Sequence, residues 1–257
     1  MAILHVDFFS RSLNRGAQMD VILPDTPHKS AQPWKTLYLL HGMTDDHTVW
    51  QRRTSIERYA EEYGIAVVMP DARLSWYTDT RAGERYFSFV SDELVRLSRQ
   101  MFPALSRKRK DTFIAGLSMG GYGAMKCALK KNETFAKAAS LSGALDAYGV
   151  TQLDPPLEQE AYWVDIFGPL DEIKGSENDL FAAAQALTQN RPELFMWCGT
   201  EDFLYHMNTA MRDHLRVLGY CLEYSESHGD HQWKYWDREI QNVLKWMLGG
   251  EEAEECR

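Results

Sequence analysis

Short apolar runs alternate with longer amphipathic stretches along most of the chain. The apolar runs hold four to six residues and are rich in β-branched and aromatic side chains, which is typical of buried strands. They predict strands at residues 4–9, 19–23, 36–41, 66–69, 112–115, 136–141, 194–198 and 221–225. Apolar positions that recur every three or four residues predict helices at residues 55–63, 92–101, 121–130, 179–187, 205–218 and 236–248. This alternation predicts an α/β fold, a three-layer sandwich with helices on both faces of a central, mostly parallel sheet of about eight strands.

The domain organisation follows from the spacing of these elements. Turn-like residues 11–16 separate the first two strands, which predicts an antiparallel hairpin at one edge of the sheet. The length of 257 residues suits one α/β domain, assigned to residues 1–248. Residues 143–190 are less regular and are interpreted as an insertion near the sheet edge that holds active sites in α/β proteins. Residues 249–257 begin with glycine and are rich in glutamate, so we expect a disordered acidic tail.

Composition and charge exclude several classes of function. No apolar run approaches the roughly 18 residues that cross a bilayer, so no membrane association is expected. The net charge of −9 repels phosphate backbones, which argues against a nucleic-acid partner. The first residues lack a basic segment followed by an apolar one, so the chain is expected in the cytoplasm. The four cysteines form no CxxC pair or zinc-like cluster, and neither a metal nor a cofactor is predicted.

A glycine-flanked serine follows the predicted strand 112–115 and precedes the predicted helix 121–130. The segment Gly116–Gly120 reads Gly-Leu-Ser-Met-Gly, the G-x-S-x-G pattern in which a sharp strand-to-helix turn exposes the serine hydroxyl. The flanking glycines leave room for neighbouring backbone at this turn. A phosphate-binding loop is the weaker interpretation, because the segment lacks the Lys-Ser/Thr ending of a P-loop. Ser118 is therefore predicted to be a catalytic nucleophile.

A serine nucleophile needs a general base, and in this fold the order along the chain is Ser, Asp or Glu, then His. The acid should follow a late strand, and Asp202 is preferred over its neighbour Glu201 because the chain turns at Gly199. The base should follow the last strand, where His231 is preferred over His228 because it directly precedes the last helix.

Two backbone N–H groups are expected to stabilise the oxyanion of the reaction. The N–H of Met119 lies at the start of the helix after Ser118, and the N–H of Met43 lies in the loop after the third predicted strand. An ordinary strand-ending turn is the alternative interpretation of that loop. His41 is interpreted as a brace for the loop rather than a metal ligand.

Together these segments resemble the esterase D/S-formylglutathione hydrolase-like family, and within it the bacterial tributyrin esterases with their feruloyl and acetyl-xylan esterase relatives. The resemblance covers most of the chain and is carried by residues 39–43, 76–79, 92–94, 116–121, 199–202 and 231–236.

This resemblance implies an α/β-hydrolase fold and a serine carboxylesterase that needs no cofactor. Ser118 would attack, His231 would transfer the proton and Asp202 would orient His231. The implied substrates are short-chain acyl esters, small aromatic feruloyl-like esters or acetylated sugars. An S-formylglutathione thioester hydrolase and an acyltransferase are the alternatives; the sequence His-Gly-Met-Thr-Asp at residues 41–45 departs from the Ser-Gly-Leu-Thr-Cys of formylglutathione hydrolases.

Aromatic residues in two regions could shape the substrate pocket. Trp76 and Tyr77 follow the fourth predicted strand, Trp163 lies in the insertion, and Trp233 follows His231. For Trp76, Tyr77 and Trp163, packing of the insertion onto the body is an equally good interpretation. For Trp233, anchoring of the last helix beside the His231 loop is the favoured interpretation, as it is for Trp236. The expected partner is a small-molecule ester, and the sequence is compatible with a homo-oligomer.

Overall fold

The computed structural model describes residues 1–25 and 33–249. Its strands are β1 (Ala2–Ser10), β2 (Arg15–Leu23), β3 (Thr36–Leu40), β4 (Ala66–Pro70), β5 (Thr112–Leu117), β6 (Lys137–Leu141), β7 (Glu193–Gly199) and β8 (Leu222–Ser227). Its α-helices are α1 (Val49–Arg53), α2 (Ile56–Tyr63), α3 (Tyr86–Ser88), α4 (Leu94–Met101), α5 (Met119–Lys130), α6 (Ala147–Thr151), α7 (Glu160–Phe167), α8 (Leu180–Ala186), α9 (Tyr205–Val217) and α10 (Trp233–Leu248). A π-helical turn, Phe89–Glu93, joins α3 to α4, and single 3₁₀ turns occur at Arg109–Asp111 and Leu170–Glu172.

The strands form a single eight-stranded sheet in the order β1-β2-β4-β3-β5-β6-β7-β8. The first two strands form the predicted antiparallel hairpin, and β2 pairs antiparallel with β4. All other neighbours are parallel. The mostly parallel α/β sheet predicted from the sequence is confirmed.

Side chains of the central strands alternate between two apolar clusters, one on each face of the sheet. In β3, Tyr38 and Leu40 belong to one cluster, whereas Leu37 and Leu39 belong to the other. Both faces are covered by helices, which explains why the central strands are almost continuously apolar. Helices α2 and α10 cover one face, and α4, α5 and α9 cover the other.

The connections between β3, β4 and β5 determine where the functional site lies. The chain runs from β3 to β4 on one side and then crosses to β5 on the other, so the carboxyl ends of β3 and β5 border a crevice. Ligands of open α/β sheets bind at such a reversal of strand order. Ser118 follows β5 and Gly42 lies just beyond β3, so both lie at this crevice.

The predicted insertion, residues 143–190, contains three short helices, of which the sequence analysis predicted only the last. Helix α7 packs against the body through ring contacts of Trp163 and Phe167 with Trp76. The acidic tail predicted at residues 249–257 lies, beyond Gly249, outside the described residues.

Candidate active site

Ser118 occupies a sharp turn between β5 and α5. Its backbone has φ 51° and ψ −120°, a conformation that is costly for a residue with a side chain. Two hydrogen bonds hold the turn: the Ser118 N–H donates to the Leu141 carbonyl at 3.0 Å, and the Ala144 N–H donates to the Ser118 carbonyl at 3.2 Å. The strained conformation is therefore maintained by β6 and by the loop that follows it.

The glycines around Ser118 are needed because backbone approaches them closely. A Cβ at Gly116 would lie 2.3 Å from the Gly120 carbonyl oxygen, and a Cβ at Gly120 would lie 2.5 Å from that of His41. A Cβ at Gly42 would lie 3.7 Å from the Ser118 Cβ. The G-x-S-x-G spacing thus packs the nucleophile turn directly against the loop after β3.

The structure brings Ser118, His231 and Asp202 into one chain of hydrogen bonds. The His231 Nε2 lies 3.0 Å from the Ser118 Oγ, and the His231 Nδ1 lies 2.8 Å from the Asp202 Oδ2. A carboxylate only accepts, so Nδ1 carries the proton and Nε2 can accept the serine hydroxyl proton. The Asp202 side chain is fully buried, whereas His231 is 21% exposed.

The two rival residues lie together at the surface instead. His228 is 84% exposed, and its Nδ1 lies 3.0 Å from the Glu201 Oε1. Glu201 also accepts a 2.6 Å hydrogen bond from the Gly229 N–H. This backbone hydrogen bond and the one from His228 lower the pKa of Glu201 to about 2. Neither rival contacts Ser118.

The loops that carry Asp202 and His231 are joined to each other. The N–H of Glu201 donates to the Gly229 carbonyl, and the N–H of Thr200 donates to the Ser227 carbonyl, both at 3.0 Å. A Cβ at Gly199 would lie 2.1 Å from the Gly229 oxygen, which shows how closely the loops approach. The acid and the base are therefore positioned as one unit.

Two aromatic rings contact the His231 imidazole, and for one of them, Phe203, the sequence analysis assigned no role. Phe203 lies 4.8 Å from it between ring centroids, and Trp236 lies 4.8 Å away, nearly perpendicular. The Trp236 indole N–H also donates to the Ser142 Oγ at 3.2 Å. Phe203 is 49% exposed. The sequence offered one signal for it, which is that this apolar residue directly follows the predicted acid, Asp202.

The loop after β3 is organised around a buried histidine. The Ala72 N–H donates to the His41 Nε2 at 2.9 Å, so Nδ1 carries the proton and donates to the Gly42 carbonyl at 2.8 Å. Burial lowers the pKa of His41, which favours this neutral form. The Tyr77 hydroxyl donates to the His41 carbonyl at 2.9 Å. His41 thus braces the backbone that precedes Met43.

The predicted oxyanion donors belong to the residue after Ser118 and the residue after Gly42. Met119 is the first residue of α5, where backbone N–H groups have no acceptor one turn earlier in the helix. Met43 directly follows Gly42, whose backbone approaches Ser118. The helix dipole adds partial positive charge at the Met119 end of α5.

Three of the four aromatic residues predicted to contact the substrate are buried. Trp76, Tyr77 and Trp163 are no more than 1% exposed, and their side chains pack in the core. Trp76 anchors the insertion through its ring contact with Trp163 and through the Trp76 Nε1 hydrogen bond to the Tyr162 hydroxyl at 3.0 Å. Trp233 is half-buried and packs 5.1 Å from Trp50 between ring centroids. Its substrate contact stays a prediction.

Within residues 1–25 and 33–249, no group of three or more His, Cys, Asp or Glu side chains is arranged to hold a metal ion. In the same ranges, no helix combines the length and the apolar character that a membrane crossing requires.

Comparison with known proteins identifies the family to which the chain belongs. The model of the Esterase family matches residues 10–247. An acetyl esterase of Caldicellulosiruptor saccharolyticus is 35% identical over 262 residues, covering 96% of this chain and 98% of that protein. The fluorophosphonate-binding serine hydrolase FphF of Staphylococcus aureus is 35% identical with a TM-score of 0.88, over 97% of this chain and 99% of that one. The S-formylglutathione hydrolase FrmB of the same organism is 36% identical with a TM-score of 0.85, over 96% and 99%. The chain therefore belongs to the Esterase family and is a carboxylesterase with the α/β-hydrolase fold.

Proposed function

We propose that this esterase hydrolyses esters of short-chain acids through an acyl-enzyme intermediate on Ser118. The observation that carries the proposal is the continuous chain of hydrogen bonds from Asp202 through His231 to Ser118. Asp202 holds the imidazole in the tautomer that leaves Nε2 free to accept a proton, and it stabilises the imidazolium that forms.

Acylation begins when the Ser118 Oγ attacks the ester carbonyl carbon while its proton passes to the His231 Nε2. The tetrahedral intermediate collapses, the bond to the alcohol oxygen breaks, and the imidazolium donates its proton to that oxygen. Water then attacks the acyl-enzyme with His231 again as the base, which releases the acid and restores the Ser118 hydroxyl.

The N–H groups of Met43 and Met119 are proposed to bind the oxyanion in both intermediates. Each such donor contributes about 3 kcal/mol to transition-state stabilisation. The hydrogen bonds that fix His41 support this assignment, because they hold the backbone that leads to Met43. Preorganised donors of this kind need no rearrangement when charge develops.

The substrate proposal is a small acyl group on an alcohol oxygen. The 35% identity with an acetyl esterase over nearly the whole chain supports it. A thioester is the second candidate, because the FrmB structure described as an S-formylglutathione hydrolase is 36% identical. Attack by Ser118 is the same for both substrates, and only the leaving group differs.

The test compares matched variants on p-nitrophenyl acetate, butyrate and octanoate. Ser118→Ala and His231→Gln should abolish both the initial burst of p-nitrophenol that accompanies acylation and the steady-state turnover. His228→Gln should retain both, since His228 does not contact Ser118. A fluorophosphonate should label the wild type on Ser118 with loss of fluoride and should not label Ser118→Ala. Equal turnover by His231→Gln and His228→Gln would refute the assignment of the base.

The substrate class is tested separately with S-formylglutathione. The ester proposal predicts a higher kcat/KM for p-nitrophenyl acetate than for S-formylglutathione. The reverse order would make thioester hydrolysis the better description while leaving the triad assignment intact.

A further inference from the structure

A cleft rich in arginine lies beside α4 and the π-helical turn that precedes it. Its volume is about 480 Å³, which is within the range of small-molecule sites. Ser91, Arg96, Arg99 and Arg107 contribute to its wall. These residues have no part in the ester hydrolysis described above.

The cleft carries a local excess of positive charge on a protein whose net charge is −9. Asp92 is the acidic residue in its wall, and the Asp92 carboxylate is paired with the Lys131 Nζ at 2.9 Å. Among the residues that the structure describes, Arg107 forms no ion pair. Arg96 forms only long contacts: its Nη2 lies 4.0 Å from the Glu93 Oε1, and its Nη1 donates to the Gln100 Oε1 at 3.4 Å. The Arg107 guanidinium therefore remains available to an anion, and the Arg96 guanidinium is held only by these two long contacts.

Two buried polar atoms in the cleft wall have no hydrogen-bond partner in the structure. The Ser91 hydroxyl belongs to a side chain only 1% exposed, and the Arg99 Nε is the second such atom. The Arg99 Nη2 donates to the Thr112 Oγ1 at 2.7 Å, which fixes the direction of the guanidinium. Buried polar groups are usually hydrogen-bonded, so both atoms can accept a partner from outside the protein, and π-helical turns are frequent at functional sites.

We propose that this cleft binds a small molecule that bears phosphate. Guanidinium groups bind phosphate oxygens in a bidentate manner, and the Ser91 hydroxyl can donate to a further oxygen. Thr112 begins β5 and Ser118 follows its other end, so the cleft lies about 20 Å from the nucleophile at the rise of an extended strand. It is a second binding site, near the amino ends of the parallel strands, whereas Ser118 lies at their carboxyl ends.

Inorganic pyrophosphate is a suitable probe, measured by isothermal titration calorimetry at about 50 mM salt, where screening is weak. We expect saturable binding by the wild type with a Kd below about 1 mM. Arg107→Gln should raise the Kd about tenfold or more, because it removes a charged donor. Arg58→Gln is the matched control, since Arg58 is 65% exposed on α2, which covers the other face of the sheet.

Ser91→Ala separates a binding role from a structural one. The Ser91 hydroxyl makes no hydrogen bond in the protein alone, so its removal should not lower the melting temperature, yet it should weaken pyrophosphate binding. Turnover of p-nitrophenyl acetate should stay at the wild-type rate in all three variants. The proposal is overturned if the wild type shows no saturable binding, if Arg107→Gln binds as tightly as the wild type, or if sulfate binds as tightly as pyrophosphate.

Discussion

Replacing Gly120 by alanine should damage both the stability and the activity of this esterase. The new Cβ would lie 2.5 Å from the His41 carbonyl oxygen and 2.6 Å from that of Leu40. Both atoms belong to backbone and cannot rotate away. The methyl group therefore forces α5 and the loop after β3 apart, and these two elements position Ser118 and the proposed oxyanion donors.

The size of the loss in stability and activity follows from how far the new Cβ overlaps the backbone oxygens. Ordinary contacts of a Cβ begin at 3.4 Å, so the backbones must separate by about 0.9 Å. Such overpacking costs about 3 kcal/mol, which lowers the melting temperature of a domain of this size by about 6–12 °C. A displacement of about 1 Å at a catalytic group lowers the rate about 100-fold.

The assays are differential scanning calorimetry and the kcat/KM for p-nitrophenyl acetate. Gly16→Ala is the matched control, because a Cβ at Gly16 has no atom within 4 Å and should leave both quantities nearly unchanged. If Gly120→Ala melts within about 1 °C of the wild type and keeps more than half of its activity, the steric reasoning is refuted.

Three further predictions concern the acid, a buried lysine and the insertion. Asp202→Asn should lower kcat about 10⁴-fold by reversing the His231 tautomer, and equal losses in Glu201→Gln would contradict this. Burial lowers the pKa of Lys126 to about 7 in the folded protein, whereas the unfolded chain keeps a pKa of about 10.4. Between these two pH values the unfolded chain binds more protons than the folded protein, so the free energy of unfolding rises with pH. The free energy of unfolding should therefore be measured with urea at about pH 8 and at about pH 9.5 for the wild type and for Lys126→Met. Between these two pH values the free energy of unfolding of the wild type should rise by about 2 kcal/mol relative to that of the variant. If the difference between the two proteins is the same at both pH values, the shifted pKa is contradicted. Trp163→Ala should cost about 3–5 kcal/mol of unfolding free energy, since the side chain is 1% exposed; a raised KM at unchanged stability would instead indicate substrate contact.

The parts of this fold that the sequence could predict are those with a strong local pattern. The central strands are buried on both faces and read as apolar runs, as in β3. The turn at Ser118 depends on neighbouring glycines, so it is visible in five consecutive residues. Helix α1 was missed because its five residues hold too little of a helical repeat to stand out. Helix α7 was missed because six of its eight residues, EAYWVDIF, are apolar and show no amphipathic repeat.

What could not be predicted depends on contacts between distant parts of the chain. Ser118 and His231 are 113 residues apart, and only the order of strands in the sheet brings their loops to one edge. The burial of Trp76 depends on Trp163, a residue of the insertion, and no local pattern reveals it. The sequence therefore could not show that Trp76, Tyr77 and Trp163 are buried in the core.

The joined loops of Asp202 and His231 also constrain how esterases of this type can be recombined. The Glu201 N–H bond to Gly229 and the close approach of Gly199 to Gly229 require both loops to fit each other atom by atom. A chimaera whose crossover falls between residues 201 and 229 would inherit its two loops from different parents. One whose crossover falls between residues 118 and 199 would receive the acid and base together, so functional hybrids should be far more frequent there.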